Sequence, residues 1–371
     1  MQETNLDVVQ RTLRGFRERK KRIVEGGINC IPSPFPGFRK DYPGVEQGKY
    51  YLISGAAKAA KSQLSNLLFL YSPLLYAYNH PDQVHLKIFY FPLEETDEKI
   101  TARFCSFLLH TFSNHKYRCS PMVLNSINEN ETVPDEVLDL LDTEEYQNIF
   151  KFYLDHVEFK KDKNPTGCMK VITKYAEEHG TFHKKWDEKF KKEVFDYYEP
   201  YDPKEYVIII WDHAGLTNLE KADGRTLNLK ECIDKLSSYF VDFRDKLHYT
   251  PVLIQQQNMD TISLDAYREK KIMPTLAGLA DTKNPGKDCS MFIGVTNPWG
   301  FEIENYRLYN TKILGGYCRF MEIVLNREGS SNGYLPLYFD GAVNYFRPLP
   351  KADDKTQLNE VYKLIDRNIA S

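Results

Sequence analysis

Short, almost wholly apolar runs alternate with longer stretches of helical periodicity along most of the chain. The runs at Tyr50–Ser54, Leu86–Pro92, Val207–Asp212, Pro251–Gln255 and Ser290–Val295 are rich in β-branched and aromatic residues. A run such as Val207-Ile208-Ile209-Ile210 has no polar face, which suits a strand covered on both sides in a parallel sheet. Between these runs, Lys61–Tyr78, Asp97–Phe112, Gly167–His179 and Asn228–Leu247 predict helices. The alternation predicts an α/β fold, a mostly parallel central sheet with helices on both faces. After residue 315 only strand-like runs remain, Arg319–Leu325, Tyr334–Tyr338 and Val343–Phe346, separated by Gly- and Asn-bearing turns. They predict a C-terminal antiparallel extension at one sheet edge.

Two stretches break the alternation. Residues 114–153 predict short helices, and 181–206 is a Lys-, Glu- and Tyr-rich insertion ending in Pro200 and Pro203. The aromatics of the second, Trp186, Phe190, Phe195, Tyr197, Tyr198 and Tyr201, suit either stacking on nucleic acid or packing on the domain; the acidic residues among them favour packing. No internal repeat and no long low-complexity linker divides the chain. The expected organisation is a basic linker helix or arm over 1–26, one core domain over 27–350 with insertions near 114–153 and 181–206, and a C-terminal helix or tail over 351–371.

Composition narrows the function classes. With 371 residues, 42% hydrophobic and 13% aromatic, the chain buries a sizeable core, which excludes a disulfide miniprotein and overall disorder. Lys plus Arg number 49 against 52 Asp plus Glu, so there is no global basic field and any nucleic-acid contact has to be local. Seven scattered cysteines without a CxxC pair suit free thiols in a reducing cytosol. The N-terminus turns basic without an apolar core, unlike a secretory signal, and the longest apolar stretch, Leu64 to Tyr78, falls short of the ~20 residues of a membrane helix. A cytoplasmic protein without a membrane partner is expected.

The stretch YLISGAAKAAKSQL at 51–64 carries the chemistry. A strand ends at Ser54, a loop of small residues follows, and Lys61-Ser62 open a helix. Gly55-Ala56-Ala57-Lys58-Ala59-Ala60-Lys61-Ser62 reads GxxxxAKS. A phosphate-binding loop uses backbone N–H groups at a helix N-terminus, a lysine for the β/γ-phosphates and a hydroxyl for Mg²⁺. Only the second glycine is missing, with Ala60 in its place. If the backbone there is left-handed, a Cβ costs about 1–2 kcal/mol.

Five further blocks, in order, resemble the ring-shaped replicative helicases of the DnaB type found in bacteria and phages. LKIFYFPLEETDEKITARF at 86–104 is similar to the strand that ends in that family's catalytic glutamate, a role the resemblance gives to Glu94, with Glu95 as the neighbouring register. VIIIWDHAGL at 207–216 is similar to the Walker B strand, which makes Asp212 the second Mg²⁺-holding residue beside Ser62. RTLNLKECIDKLSSYFVDFRDKLHYTPVLIQQQN at 225–258 is similar to the helix and strand that end in the phosphate-sensing glutamine, matched by Gln256 in a run of three. KKIMPTLAGLADTKNPGKDCSMFIGV at 270–295 resembles a DNA-contacting loop, in which Lys283, Asn284, Gly286 and Lys287 fall. MEIVLNREGSSNGYLPLYFDGAVNYFRPL at 321–349 resembles the closing hairpin, where Arg327 matches an arginine finger acting on the neighbouring subunit; the family's companion lysine is Leu325 here.

The resemblance implies a RecA-like P-loop ATPase domain, without the N-terminal helical domain of the family, that uses ATP and Mg²⁺. It also implies a homo-oligomeric ring, expected to be a hexamer, that translocates on single-stranded DNA as a replicative helicase in a bacterial or phage-infected cell and meets a primase or helicase loader. Lys61 would neutralise the β/γ-phosphates. Glu94 would activate water, and Arg327 would complete the neighbour's site. Two other readings keep the fold: a RecA- or KaiC-like DNA-binding ATPase that does not unwind, and a weakened ATPase, marked by Ala60 and Leu325, that serves as a nucleotide-binding scaffold.

Overall fold

Alternating burial along the strands builds two cores, one on each face of a single sheet. A computed structural model describes residues 5–258 and 267–370. Its nine-stranded sheet contains β1 (Tyr51–Gly55), β2 (His85–Pro92), β3 (Val157–Phe159), β6 (Glu205–Asp212), β7 (Thr250–Gln256), β8 (Met291–Thr296), β9 (Cys318–Asn326), β10 (Tyr334–Asp340) and β11 (Tyr345–Pro348). The order is β11-β10-β9-β8-β1-β7-β6-β2-β3, parallel from β8 to β3 and antiparallel from β8 to β11. Tyr51, Ile53, Tyr90, Ile210 and Ile254 face one core; Leu52, Phe91, Ile209, Trp211 and Leu253 face the other. This period of two, apolar on both faces, explains why the parallel strands lack a polar side.

Helices cover both faces. Following β1, α2 (Lys61–Asn66) runs through a wide π turn at Leu67–Tyr71, all buried, into α3 (Ser72–Asn79). With α4 (Asp97–Phe112) and α7 (Glu144–His156) they supply Leu64, Leu68, Phe104 and Ile149 to the first core. On the other face, α8 (Pro165–His179) and α9 (Leu229–Leu247) contribute Ile172 and Phe240. The start of α9 is fixed by a capping box: the Asn228 side chain accepts from the Glu231 N–H at 2.9 Å, and the Glu231 carboxylate accepts from the Asn228 N–H at 2.9 Å. A third cluster packs α11 (Lys355–Ala370), through Leu358, Val361 and Ile365, against Phe320 and Tyr338 of the antiparallel strands. The N-terminal α1 (Asn5–Val24) precedes the sheet.

The predicted parallel and antiparallel strands and the four long helices are all present. Segment 114–153 holds α5 (Pro121–Leu124), α6 (Asp135–Leu141) and most of α7. Three details depart from the sequence reading. Edge strand β3 is only three residues long, too short for a periodic signal. The last strand starts at Tyr345 rather than Val343, because Asn344 takes a φ of +52° in the turn. The third departure is at 181–206, where β4 (Gly180–Asp187) and β5 (Lys192–Pro200) form a separate antiparallel ribbon. Its turn contains no glycine; Lys191 takes φ +47°, and the Asp187 carboxylate accepts the N–H groups of Lys189 and Phe190 at 2.9 and 3.0 Å. Packing was expected for its aromatics, and they divide: Phe182, Phe195 and Tyr198 pack at its root, whereas Trp186, Phe190, Tyr197 and Tyr201 are exposed.

Candidate active site

The parallel strands end on one edge of the sheet, and the loop after β1 sits at its centre, where chain crossings leave a crevice. Gly55 closes β1 so tightly that an added Cβ would collide with the Val295 carbonyl oxygen. The loop then turns through two left-handed residues, Lys58 at φ +59° and Ala60 at φ +72°, ψ +34°. Ala59 is fully buried beneath it. The Lys61 stem is buried as well, and its ammonium donates to the Ala56 carbonyl at 2.9 Å, arching over Ala57 and Lys58. Burial lowers the Lys61 pKa, against the pull of Asp212 and Glu94.

Ala60 therefore occupies the conformation for which glycine is suited, and the cost falls on the folded chain. Replacing Ala60 by Gly relieves about 1–2 kcal/mol of left-handed strain and returns about 0.5–1 kcal/mol through unfolded-state entropy. The Ala60→Gly protein is expected to gain up to about 1.5 kcal/mol, read as a higher denaturant midpoint at unchanged slope. A lower midpoint would contradict the strained geometry.

Beside the loop, Ser62 donates to Asp212 Oδ1 at 3.0 Å, and the Tyr90 hydroxyl lies 3.0 Å from both Asp212 Oδ2 and Asn66 Oδ1. Asp212 is buried at the end of β6 with no Lys or Arg at ion-pair distance among the described residues, and desolvation pushes its pKa up to about 6. A buried carboxylate and a hydroxyl without a basic partner fit a hard divalent cation that keeps most of its ligands from water and phosphate; no cluster of three or more acidic, His or Cys ligands occurs among the described residues. The next residue, His213, follows a cis peptide. Its Nδ1 accepts the Gly215 N–H at 3.2 Å, which assigns the neutral-ring proton to Nε2, 3.7 Å from Glu94 Oε2. Burial lowers the His213 pKa and keeps the ring neutral at pH 7.

The two adjacent glutamates separate by partner. Both border the cleft, but Glu95 is engaged bidentately by Arg103 of α4, which lines the cleft with it, whereas the Glu94 side chain is 57% exposed and faces His213. The three glutamines separate in the same way. Gln255 is buried and donates to the carbonyls of Ala280 and Thr282, the latter at 2.9 Å. Gln257 donates to Ser54 Oγ at 2.9 Å and accepts from the Thr275 N–H at 3.1 Å. Gln256, paired in register with Gly55, lines the cleft.

Lys58, Ala57, Ala60, Lys61, Ser62, Glu94, His213 and Gln256 thus border one cleft of about 490 Å³. Arg327 is not among them. It follows β9 at the opposite end of the sheet, where it donates to the carbonyls of Lys287 and, at 2.8 Å, Cys289, while Leu325 packs on the second core. Near it, Asn284–Asp288 form the short α10. Lys283 and Lys287 are exposed, the Lys283 ammonium donating to the carbonyls of Ala277 and Leu279. The Asn284 N–H donates to Thr282 Oγ1 at 3.3 Å, and Gly286 is buried under Leu276 and Leu279.

Sequence reasoning missed Arg319. This arginine is 6% exposed at the start of β9, donates to the Ala59 carbonyl of the phosphate loop at 3.1 Å, and also bonds Asn297 Oδ1 and the carbonyls of Gly316 and Cys318. Its guanidinium covers Phe339 at 4.8 Å, and burial lowers its pKa to about 10, so it stays charged. Arg319, Phe339 and Gly341 form the cleft wall contributed by the antiparallel strands. The available signal was an arginine inside the apolar run CRFMEIV.

No family model and no curated protein sequence matches the chain. Solved structures do. One, an ATPase domain, aligns over 92% of this chain and 99% of its own, with a TM-score of 0.59 and 13% identity. A DnaB-like replicative helicase, studied for its interactions with primase, aligns over 91% of this chain and 65% of its own, with a TM-score of 0.61 and 12% identity. The chain thus spans 65% of that helicase's length. At such identities the likeness is one of fold: a mostly parallel sheet flanked by helices, as in the ATPase domains of DnaB-like helicases.

Proposed function

We propose that this chain is the ATP-hydrolysing motor of a ring-shaped replicative helicase that translocates on single-stranded DNA. The reading rests on one observation: Lys61, Ser62, Asp212, Glu94 and Gln256, brought together from separate segments, gather at a single cleft around a phosphate-type loop. Lys61 and the loop's N–H groups bind the β/γ-phosphates, and Arg319 with Phe339 offers a flat cationic wall for the rest of the nucleotide. Ser62 and Asp212 hold Mg²⁺, which when bound neutralises charge on the phosphate oxygens. Glu94, whose Oε2 lies 3.7 Å from His213 Nε2, accepts a proton from the attacking water. Gln256 meets the γ-phosphate from the end of β7.

Arg319 and Arg327 stand eight residue steps apart along extended β9, roughly 26 Å at ~3.3 Å per step. Arg327 is therefore proposed to serve the cleft of a second copy. Assembly is also supported by α1, where Val9, Leu13, Phe16 and Ile23, spaced for one helix face, are all about half exposed. A hexameric ring is the form proposed, with Lys283, Asn284 and Lys287 as DNA contacts over the turn built on Gly286. A primase or loader is the proposed protein partner, in the cytoplasm of a bacterial or phage-infected cell. No helix among the described residues is long and apolar enough to cross a membrane.

Complementation between inactive variants tests the proposal. Arg327→Ala and Lys61→Ala are each expected to lower DNA-stimulated ATP hydrolysis by about 10³-fold or more. Mixing them is expected to restore part of it, because some interfaces then pair an intact Lys61 with an intact Arg327. Forked-duplex unwinding by the wild type separates a helicase from a non-unwinding ATPase or a scaffold. A strict monomer in ATP, or near-normal hydrolysis by Arg327→Ala, would overturn the ring.

A further inference from the structure

The ribbon of β4 and β5 has no part in the cleft, and its two ends differ. At the root, Phe182, Phe195 and Tyr198 pack on the second core, with the Tyr198 hydroxyl donating to the Ala176 carbonyl at 3.1 Å. The root adjoins the start of β6, at the sheet edge opposite the phosphate loop. Farther out, Trp186 is 57% and Phe190 61% exposed. Two of the shaft's three carboxylates are already engaged: Asp196 pairs with Lys185 at 2.7 Å and Glu199 with His183 at 2.8 Å, while Glu193 lies opposite Trp186 in the register. Residues 184–192 carry five lysines against Asp187 and Glu188, a net charge of +3 on a chain whose total is -3. Lys184, Lys189, Lys191 and Lys192 have no carboxylate at ion-pair distance among the described residues, and Lys189 and Lys192 lie 5.4 and 5.9 Å from the Phe190 ring.

We propose that the ribbon tip, residues 184–192, is a contact for single-stranded nucleic acid separate from the ATPase cleft. Bare aromatic rings flanked by unpaired lysines match an unpaired strand, whose bases stack on rings while its phosphates meet ammonium groups. A duplex hides its base faces. A flat anionic membrane would press on Glu188 at the apex, whereas a single strand passes along the ribbon's side. The inference rests on the ribbon and does not depend on ATP hydrolysis.

The test is binding of a fluorescein-labelled oligo(dT) without nucleotide, by anisotropy over a range of salt, so that failure of the ATPase reading leaves it intact. The variants replace exposed side chains. Trp186→Ala combined with Phe190→Ala is expected to weaken binding about tenfold or more. Lys189→Gln, Lys191→Gln and Lys192→Gln together are expected to reduce the slope of log affinity against log salt by about 2. DNA-independent ATP hydrolysis should be unchanged in both. Wild-type binding by both variants would overturn the proposal. So would an aromatic variant that binds oligo(dT) normally yet loses binding to phosphatidylglycerol vesicles, or that changes the size of the assembly.

Discussion

Asp212→Asn is expected to be more stable than the wild type at pH 8 without ligand, and inactive. Desolvation raises the Asp212 pKa from 3.8 to about 6. The folded state then holds this proton more tightly than the unfolded chain. Its contribution is fully present below pH 3.8 and is lost as the pH rises through about 6. At about 1.4 kcal/mol per pH unit, the ionised carboxylate destabilises the ligand-free protein by roughly 3 kcal/mol at pH 8. Asparagine removes that penalty and keeps the shape. Its oxygen can accept from Ser62, and its amide can donate to the Tyr90 hydroxyl, which then donates to Asn66. The gain should reach about 2–3 kcal/mol at pH 8 and vanish near pH 4. With ATP and Mg²⁺ the order should reverse, because only the wild type is stabilised by ligand. Thermal unfolding at both pH values, with and without ligand, checks this; an asparagine variant no more stable than the wild type at pH 8 would refute it.

The second large effect separates two adjacent carboxylates. Glu94→Gln is expected to lower hydrolysis by about 10²–10⁴-fold while nucleotide binding persists, since glutamine keeps the contact with His213 but cannot take a proton from water. Glu95→Gln should leave turnover within a few-fold and instead loosen the start of α4, because it breaks the bidentate pair with Arg103. Equal losses in both variants, or loss only at Glu95, would move the general base by one residue. Steady-state hydrolysis and equilibrium nucleotide binding on the two proteins decide it.

How much of this was legible in the sequence varied with the kind of signal. The parallel strands could be read because burial on both faces leaves unbroken apolar runs such as 207–210. The loop at 55–62 could be read because phosphate chemistry needs small residues, Lys and Ser at fixed spacing. The ribbon could not: beyond Phe182, Phe195 and Tyr198 exposed aromatics mix with charged residues on both its faces, and Lys191, rather than glycine, makes the left-handed turn. Arg319 was hidden because its contact, the Ala59 carbonyl, lies 260 residues away. The contacts that tell Glu94 from Glu95, and the glutamines of the run from one another, come from partners outside the motifs: Arg103 and His213 for the first pair, Ala280 and Ser54 for the run.

The glutamine run has a consequence for how change acts on this protein. Three identical side chains perform three tasks, and what distinguishes them is parity: the strand turns 255 and 257 to one side and 256 to the other. Most exchanges within the run that preserve size would harm one task and spare two. A single deletion, whichever codon were lost, would yield the same shorter chain, leave glutamine at 255 and 256, and bring Asn258 into the place of Gln257. In this segment the information lies in the count rather than in the letters.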